Sequence, residues 1–226
     1  MLLYSIIIVV CAAIITTLNI FLNPQFQEMP WLYAILVLAF VVGAVLIDGL
    51  VALIIRKLPE KWFQEDKGIF KTSNAEMKFY RFLKVQKWKN HVPELGSFTG
   101  FHKNKVASPF DNEYIGRFIL EARYGVAIHV WSVPASFLLI LCDFGLYTGT
   151  SNIWLTIALP VAVINAILIV LPAFVLKFNL PRLIAIYNTN IVLEKRQKDE
   201  QKGQNPLQNG GFFVLLQMFF GMFVFV

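Results

Sequence analysis

Positive charge is missing from two long parts of this chain. Residues 1–55 contain no Lys or Arg, and residues 124–176 contain none either. Charged residues make up 15% of the 226, against 57% hydrophobic, and the mean hydropathy is +0.62. That balance is far too apolar for a soluble domain of this size, which excludes the class. Cysteine is scarce too. Cys11 and Cys142 both sit in apolar runs, so neither a disulfide framework nor a metal cluster is expected. No basic residue precedes the first apolar run, which argues against a cleaved secretory signal. Walker loop, dinucleotide fingerprint, GxSxG elbow, HExxH and CxxC are all missing. So is an HxxxxD acyltransferase motif, because Ala107 and Pro134 stand five residues after His102 and His129. Nucleotide, zinc and conventional hydrolase chemistries lose support accordingly.

What is present is four apolar runs, at about 2–22, 31–55, 124–147 and 153–176. A helix rises ~1.5 Å per residue, so ~20 residues cross a hydrocarbon core of ~30 Å. The predicted fold class is therefore an all-α integral membrane protein with four transmembrane helices. A basic, aromatic-rich segment separates the second helix from the third. The expected organisation is helices 1 and 2 in 1–55, a cytoplasmic or interfacial segment in 56–120, and helices 3 and 4 in 121–183. A charged linker (184–211) and an apolar Phe-rich tail (212–226) follow. The tail is short for a span and reads as re-entrant, interfacial or packed on the bundle.

Thirteen of the twenty Lys and Arg residues fall in 56–117. By the positive-inside bias, both termini and the central loop are expected in the cytoplasm of a multi-pass cell-membrane protein. The net charge of +6 would suggest nucleic acid in a soluble protein. Its placement here points to membrane lipids as the partner instead, and no nucleic acid. The central segment carries Trp62, Phe63, Phe70, Tyr80 and Trp88 among its charges, unlike a disordered tail. Met77 to Trp88 has apolar residues spaced for one helical face. It reads either as an interfacial helix on anionic lipid or as a packed helix of a small cap.

Two ionisable residues lie inside predicted spans. Asp48 is about seven residues from the basic end of the second, and His129 about five residues into the third from the same side. Their depths match. A neutral histidine held by a carboxylate is a competent general base, and the alternative is a buried polar pair that fixes helix register. Glu121 and Arg123 stand at the mouth of the third span, as anchors, as a salt bridge or as site residues. Asn165 lies mid-span, where an interhelical hydrogen bond is the default.

Three stretches carry a resemblance: "LPEKWF" with "FYRFLKVQKWKNHVPELGSFTGFHKNKV", then "YIGRFILEARYGVAIHVW", then "LPAFVLKFNLPRL". In register over roughly residues 56–183, they resemble the glycosyl-4,4'-diaponeurosporenoate acyltransferase family. Members attach a fatty acyl chain to the sugar of a carotenoid glycoside. The resemblance keeps Trp88, Lys89, Glu94, Lys103, Glu121, Arg123, Gly125, His129, Asn179 and Arg182, while Ala122, Tyr124, Val126 and Leu180 depart from the pattern. It implies a membrane acyltransferase in which His129 activates an acceptor hydroxyl and Glu121 or Asp48 orients it. Arg123, Asn179, Arg182 and Lys89 are implied to hold donor phosphates or polarise the thioester. Trp88, Glu94 and Lys103 complete the implied substrate-binding set. No cofactor is implied beyond acyl-CoA or acyl carrier protein as co-substrate. The rival expectation is a non-catalytic assembly or lipid-binding subunit. A lateral, lipid-accessible groove leading to His129 favours the enzyme, and a His129 fully buried against Asp48 or Asn165 favours the rival.

Overall fold

The computed structural model describes residues 2–22, 27, 29–64, 67–92, 106, 108–142 and 152–203, and every regular element among them is helical. Four helices are long and apolar enough to cross a membrane, as a multi-pass membrane protein requires. The helices are α1 (Leu2–Leu22), α2 (Pro30–Lys57), α3 (Asn74–Phe82), α4 (Val85–Trp88), α5 (Asn112–Ser136) and α6 (Leu159–Gly203). A tighter 3-10 turn, Phe137–Leu141, extends α5, and a π-helical turn, Trp154–Ala158, leads into α6. The predicted tail, 212–226, lies outside the described residues.

Helices α2 and α5 run antiparallel, as do α5 and α6, so α2 and α6 run parallel. Gly116 faces Tyr187 and Gly125 faces Leu176, so α5 and α6 run in opposite directions. Their approach at Gly125 is very close: a Cβ there would lie 2.7 Å from Leu176 Cδ1. Helix α2 opposes α5, with Gly43 against Leu139 at one end and Arg56 against Glu121 at the other. Large apolar side chains face outward where no other helix covers them, Leu46 being 68% exposed. Such a surface fits hydrocarbon, not water.

Helix α6 is unusual for carrying prolines. A proline within a helix has no N–H, so it leaves the carbonyl four residues earlier without its ladder partner. Pro172 and Pro181 thereby free the carbonyls of Leu168 and Lys177, and Thr156 O, in the π-helical turn before Pro160, is a third carbonyl met from outside. Each of the three receives a side-chain donor from another element. Asn19 Nδ2 donates to Thr156 O at 3.0 Å, the Tyr4 hydroxyl to Leu168 O at 3.3 Å, and the Thr72 hydroxyl to Lys177 O at 3.0 Å. Two of these donors fasten α1, and the third fastens the segment before α3.

Several boundaries differ from those expected. The third span begins at Asn112, not near 124, because the Asp111 carboxylate caps the backbone N–H groups of Glu113 and Tyr114. Glu121 and Arg123 therefore lie two to three turns inside a helix. The fourth span does not end near 176. At 45 residues α6 is about 68 Å long, over twice a hydrocarbon core, and it takes in most of the charged stretch read as a linker. The stretch 77–88 is two helices, broken at Lys84, whose φ of 53° is left-handed. Its first part is fixed by a capping box between Ser73 and Glu76. Tyr80 and Val85 are buried against Val175 and Phe178 of α6, so the packed-cap reading describes this segment. Burial, with the Glu76 charge, pushes the Tyr80 hydroxyl up to about 12.

If the freed carbonyls are the sockets, Thr72→Val destabilises the protein by about 1 kcal/mol. Pro181→Ala restores the N–H that Lys177 O lacks and makes the hydroxyl redundant. Thermal unfolding in detergent micelles therefore shows Thr72→Val costing almost nothing in the Pro181→Ala background. Simple additivity of the two changes would refute the socket.

Candidate functional site

At the basic end, ionic pairs tie α2 and the short turn after it to α5. Glu121 receives Arg56 at 3.1 Å and Arg117 at 3.2 Å, and Arg117 also reaches Glu60 at 3.5 Å. Arg56 lies over the Tyr124 ring, 5.8 Å from its centroid. Glu121 thus neutralises neighbouring cations and makes no bond to His129.

Arg123 is buried, and its guanidinium Nη1 donates to the backbone carbonyls of Phe63 (3.1 Å) and Gln64 (2.5 Å). The planar fork suits two adjacent carbonyls. Phe63 is held in turn by Tyr124, with ring centroids 4.3 Å apart. Arg123 therefore clamps the chain that leaves α2 onto α5. In this structure it is engaged with backbone, not offered to a phosphate.

Deeper in the bundle, Asp48 finds Asn165. The Asn165 amide donates to Asp48 Oδ2 at 3.0 Å and to Ser136 Oγ at 2.9 Å, and Ser136 donates on to Ser132 O at 2.9 Å. The Ser132 side chain lies against the same carboxylate. Three helices, α2, α5 and α6, meet in this knot. Sequence reasoning had Asn165 as an interhelical donor but gave no role to Ser132 or Ser136. Their spacing on α5, four residues apart and one turn beyond His129, was the available signal.

His129 is at the expected depth, three residues before Ser132 on α5. The expected His129–Asp48 bond does not form: among the described residues no hydrogen bond or ion pair engages the ring, and the Asp48 carboxylate goes to Asn165. His129 as a residue is of intermediate exposure, and its ring is largely withdrawn from solvent. A small open cleft of about 30 Å³ between α1, α2 and α6 reaches Asn165 and Leu168 but is not lined by His129.

The remaining candidates divide in two. Trp88 donates its indole N–H to Leu83 O at 2.9 Å and so fixes α4 on its own turn. Lys89 and Arg182 converge on the ring of Phe178, with Asn179 beside it in sequence and partly exposed. Lys177, one residue before Phe178, is paired with Glu76. Burial works to raise the Glu76 carboxyl, but hydrogen bonds from Lys177 and Ser73 outweigh it and hold the group below its ordinary value. Glu94 and Lys103 lie outside the described residues. Among the described residues no group of His, Cys, Asp and Glu forms a metal site.

Residues 59–189 match the family model of glycosyl-4,4'-diaponeurosporenoate acyltransferase. The chain belongs to that family. No curated protein matches it, and no solved structure does. The part shared with the acyltransferase family begins just after α2 and ends within α6. It contains the clamp of Arg123, the ring of His129 and the Lys89–Arg182 pair. Helix α1 and Asp48 lie outside it.

The two ionic features differ in their consequence for folding. Arg123→Lys replaces the fork with a point charge and lowers stability by about 2 kcal/mol. Glu121→Gln changes it by about 1 kcal/mol or less, because both of its arginines are half exposed to solvent. Chemical or thermal unfolding that ranked Glu121→Gln as the more damaging would reverse this assignment.

Proposed function

We propose that this chain is an integral-membrane acyltransferase. It moves a fatty acyl group from a cytosolic thioester, acyl-CoA or acyl carrier protein, to a hydroxyl of a lipid held in the membrane, glycosylated and of isoprenoid type. The basic end of the bundle faces the cytoplasm, as the charge bias requires. Soluble donor and buried acceptor then meet at one boundary.

His129 is the general base. Its imidazole takes the proton of the acceptor hydroxyl as that oxygen attacks the thioester carbonyl, and the carbon–sulfur bond breaks when the tetrahedral adduct collapses. The proton passes from the ring to the departing thiolate, so ester and thiol are the products and the histidine is restored. The observation that carries this reading is the ring's condition: largely withdrawn from solvent, at the depth of Asp48, and without a hydrogen-bond partner among the described residues. The Asp48 carboxylate is taken by Asn165, so it does not hold the ring. Asp48 is accordingly a positioning residue that holds α2, α5 and α6 in register around the ring. Glu121 keeps the entrance cations balanced.

A second reading, a non-catalytic lipid-binding or assembly subunit, draws on the Asp48–Asn165 knot and the open cleft, which need no chemistry to explain them. Lipid mass spectrometry on a strain deleted for the protein separates the two. The enzyme reading expects an acylated lipid to vanish on deletion and to return with the unmodified protein. With His129→Ala it should return at a rate lower by on the order of 10²–10⁴-fold, the protein remaining folded in the membrane. Full restoration by His129→Ala would remove the base, and an unchanged lipid profile on deletion would favour the subunit.

A further inference from the structure

The cations of the basic end are not all alike. Arg56 and Arg117 have Glu121, and Lys177 has Glu76. Lys89 and Arg182 have no carboxylate among the described residues, and the fold nevertheless holds them together. Lys89 Nζ lies 6.0 Å and Arg182 Cζ 5.2 Å from the centroid of the same Phe178 ring. They arrive from different elements. Arg182 is one turn beyond Phe178 on α6, whereas Lys89 follows α4 and is brought over α6 by the burial of Tyr80, Val85 and Val92 against Val175 and Phe178.

Two like charges gathered at one ring oppose each other, and the attraction of each to the ring offsets only part of that. The effect is visible on Lys89, whose ammonium is held below its ordinary value by burial and by the neighbouring Arg182 charge. Lys89 is partly buried, and Phe178 beneath it is 3% exposed, so the pair rests on a rigid floor. A dianionic or monoanionic phosphoryl oxygen between a guanidinium fork and an ammonium would relieve the repulsion and use donors of both kinds.

We propose that Lys89 and Arg182, seated on Phe178 at the basic end of α6, form a binding site for a phosphoryl group. That group belongs either to a soluble phosphate ester or to a lipid headgroup. The site excludes Arg123, which is engaged with backbone carbonyls, and Lys177, which is engaged with Glu76. It does not depend on His129 acting as a base, and it can be tested without turnover.

The full chain is placed in nanodiscs of phosphatidylcholine, and 4'-phosphopantetheine and inorganic pyrophosphate are titrated by calorimetry. In a parallel arm, phosphatidylglycerol retained by the purified protein is quantified by mass spectrometry. Lys89→Gln and Arg182→Gln are each expected to weaken binding of the accepted ligand about tenfold, and together to abolish it. Lys195→Gln, on an exposed part of α6, leaves it unchanged, and Lys89→Arg retains most of it. Loss confined to the soluble compounds assigns a phosphate ester, and loss confined to phosphatidylglycerol assigns a headgroup. Melting temperatures within a degree or two of the unmodified protein show that the variants are folded. Binding of neither class, or binding indifferent to both substitutions, overturns the site whether or not the protein transfers acyl groups.

Discussion

A backbone carbonyl in hydrocarbon must have a donor, because no water is there to supply one. Helix α6 breaks its own ladder at two prolines, and the protein answers each break, and the π turn before the helix, with a side chain from elsewhere. The carbonyls of Thr156, Leu168 and Lys177 are spaced along the helix at 12 and 9 residues, so they lie at three depths. Asn19 and Tyr4 take the two deeper in the bundle, and Thr72 takes the one at the basic end. A feature that usually weakens a helix becomes the means of attaching its neighbours. Thr72 and the Glu76–Lys177 pair fasten the segment that carries α3 and α4, and through it Lys89 reaches the flank of α6.

Around that frame, polar groups are sorted by depth. At the basic end, Glu121 gathers two arginines and Arg123 holds the exit of α2. In mid-bundle Asp48, Asn165, Ser132 and Ser136 form one knot across three helices. Between the two levels stands His129, with Gly125 one turn below it packed so closely on Leu176 that no larger residue fits without displacement. The ring's place is therefore set by neighbours that contact other helices, not by a partner of its own. This arrangement is coherent with a base that must remain available to a substrate.

Much of this was readable in the residues, and the failures have identifiable causes. Four apolar runs located four spans, because hydropathy reports depth. It does not report rotation about the helix axis, which is why Asp48 and His129 were placed at one level and wrongly paired. The early start of α5 was signalled by Asp111 followed by Glu113, an N-cap pattern hidden by the charges after it. The continuation of α6 past 183 was likewise available in a stretch of Glu, Lys, Arg and Gln, all good helix formers that polarity disguised as a linker. The positions four residues before each proline could have been counted from the sequence. Which donors would reach them could not, since those donors come from 105 to 164 residues away.

That separation bears on how the protein is made. Tyr4 and Asn19 wait for carbonyls that enter the chain 164 and 137 residues after them. At about 5–20 residues per second, the interval is roughly ten seconds or more. During it α1 has none of its α6 partners and must persist as a separate helix among lipids, the first stage of a two-stage assembly. Its lack of any charged residue suits that wait. The closure of the described bundle therefore waits until α6 is made and presents the sites that α1 requires.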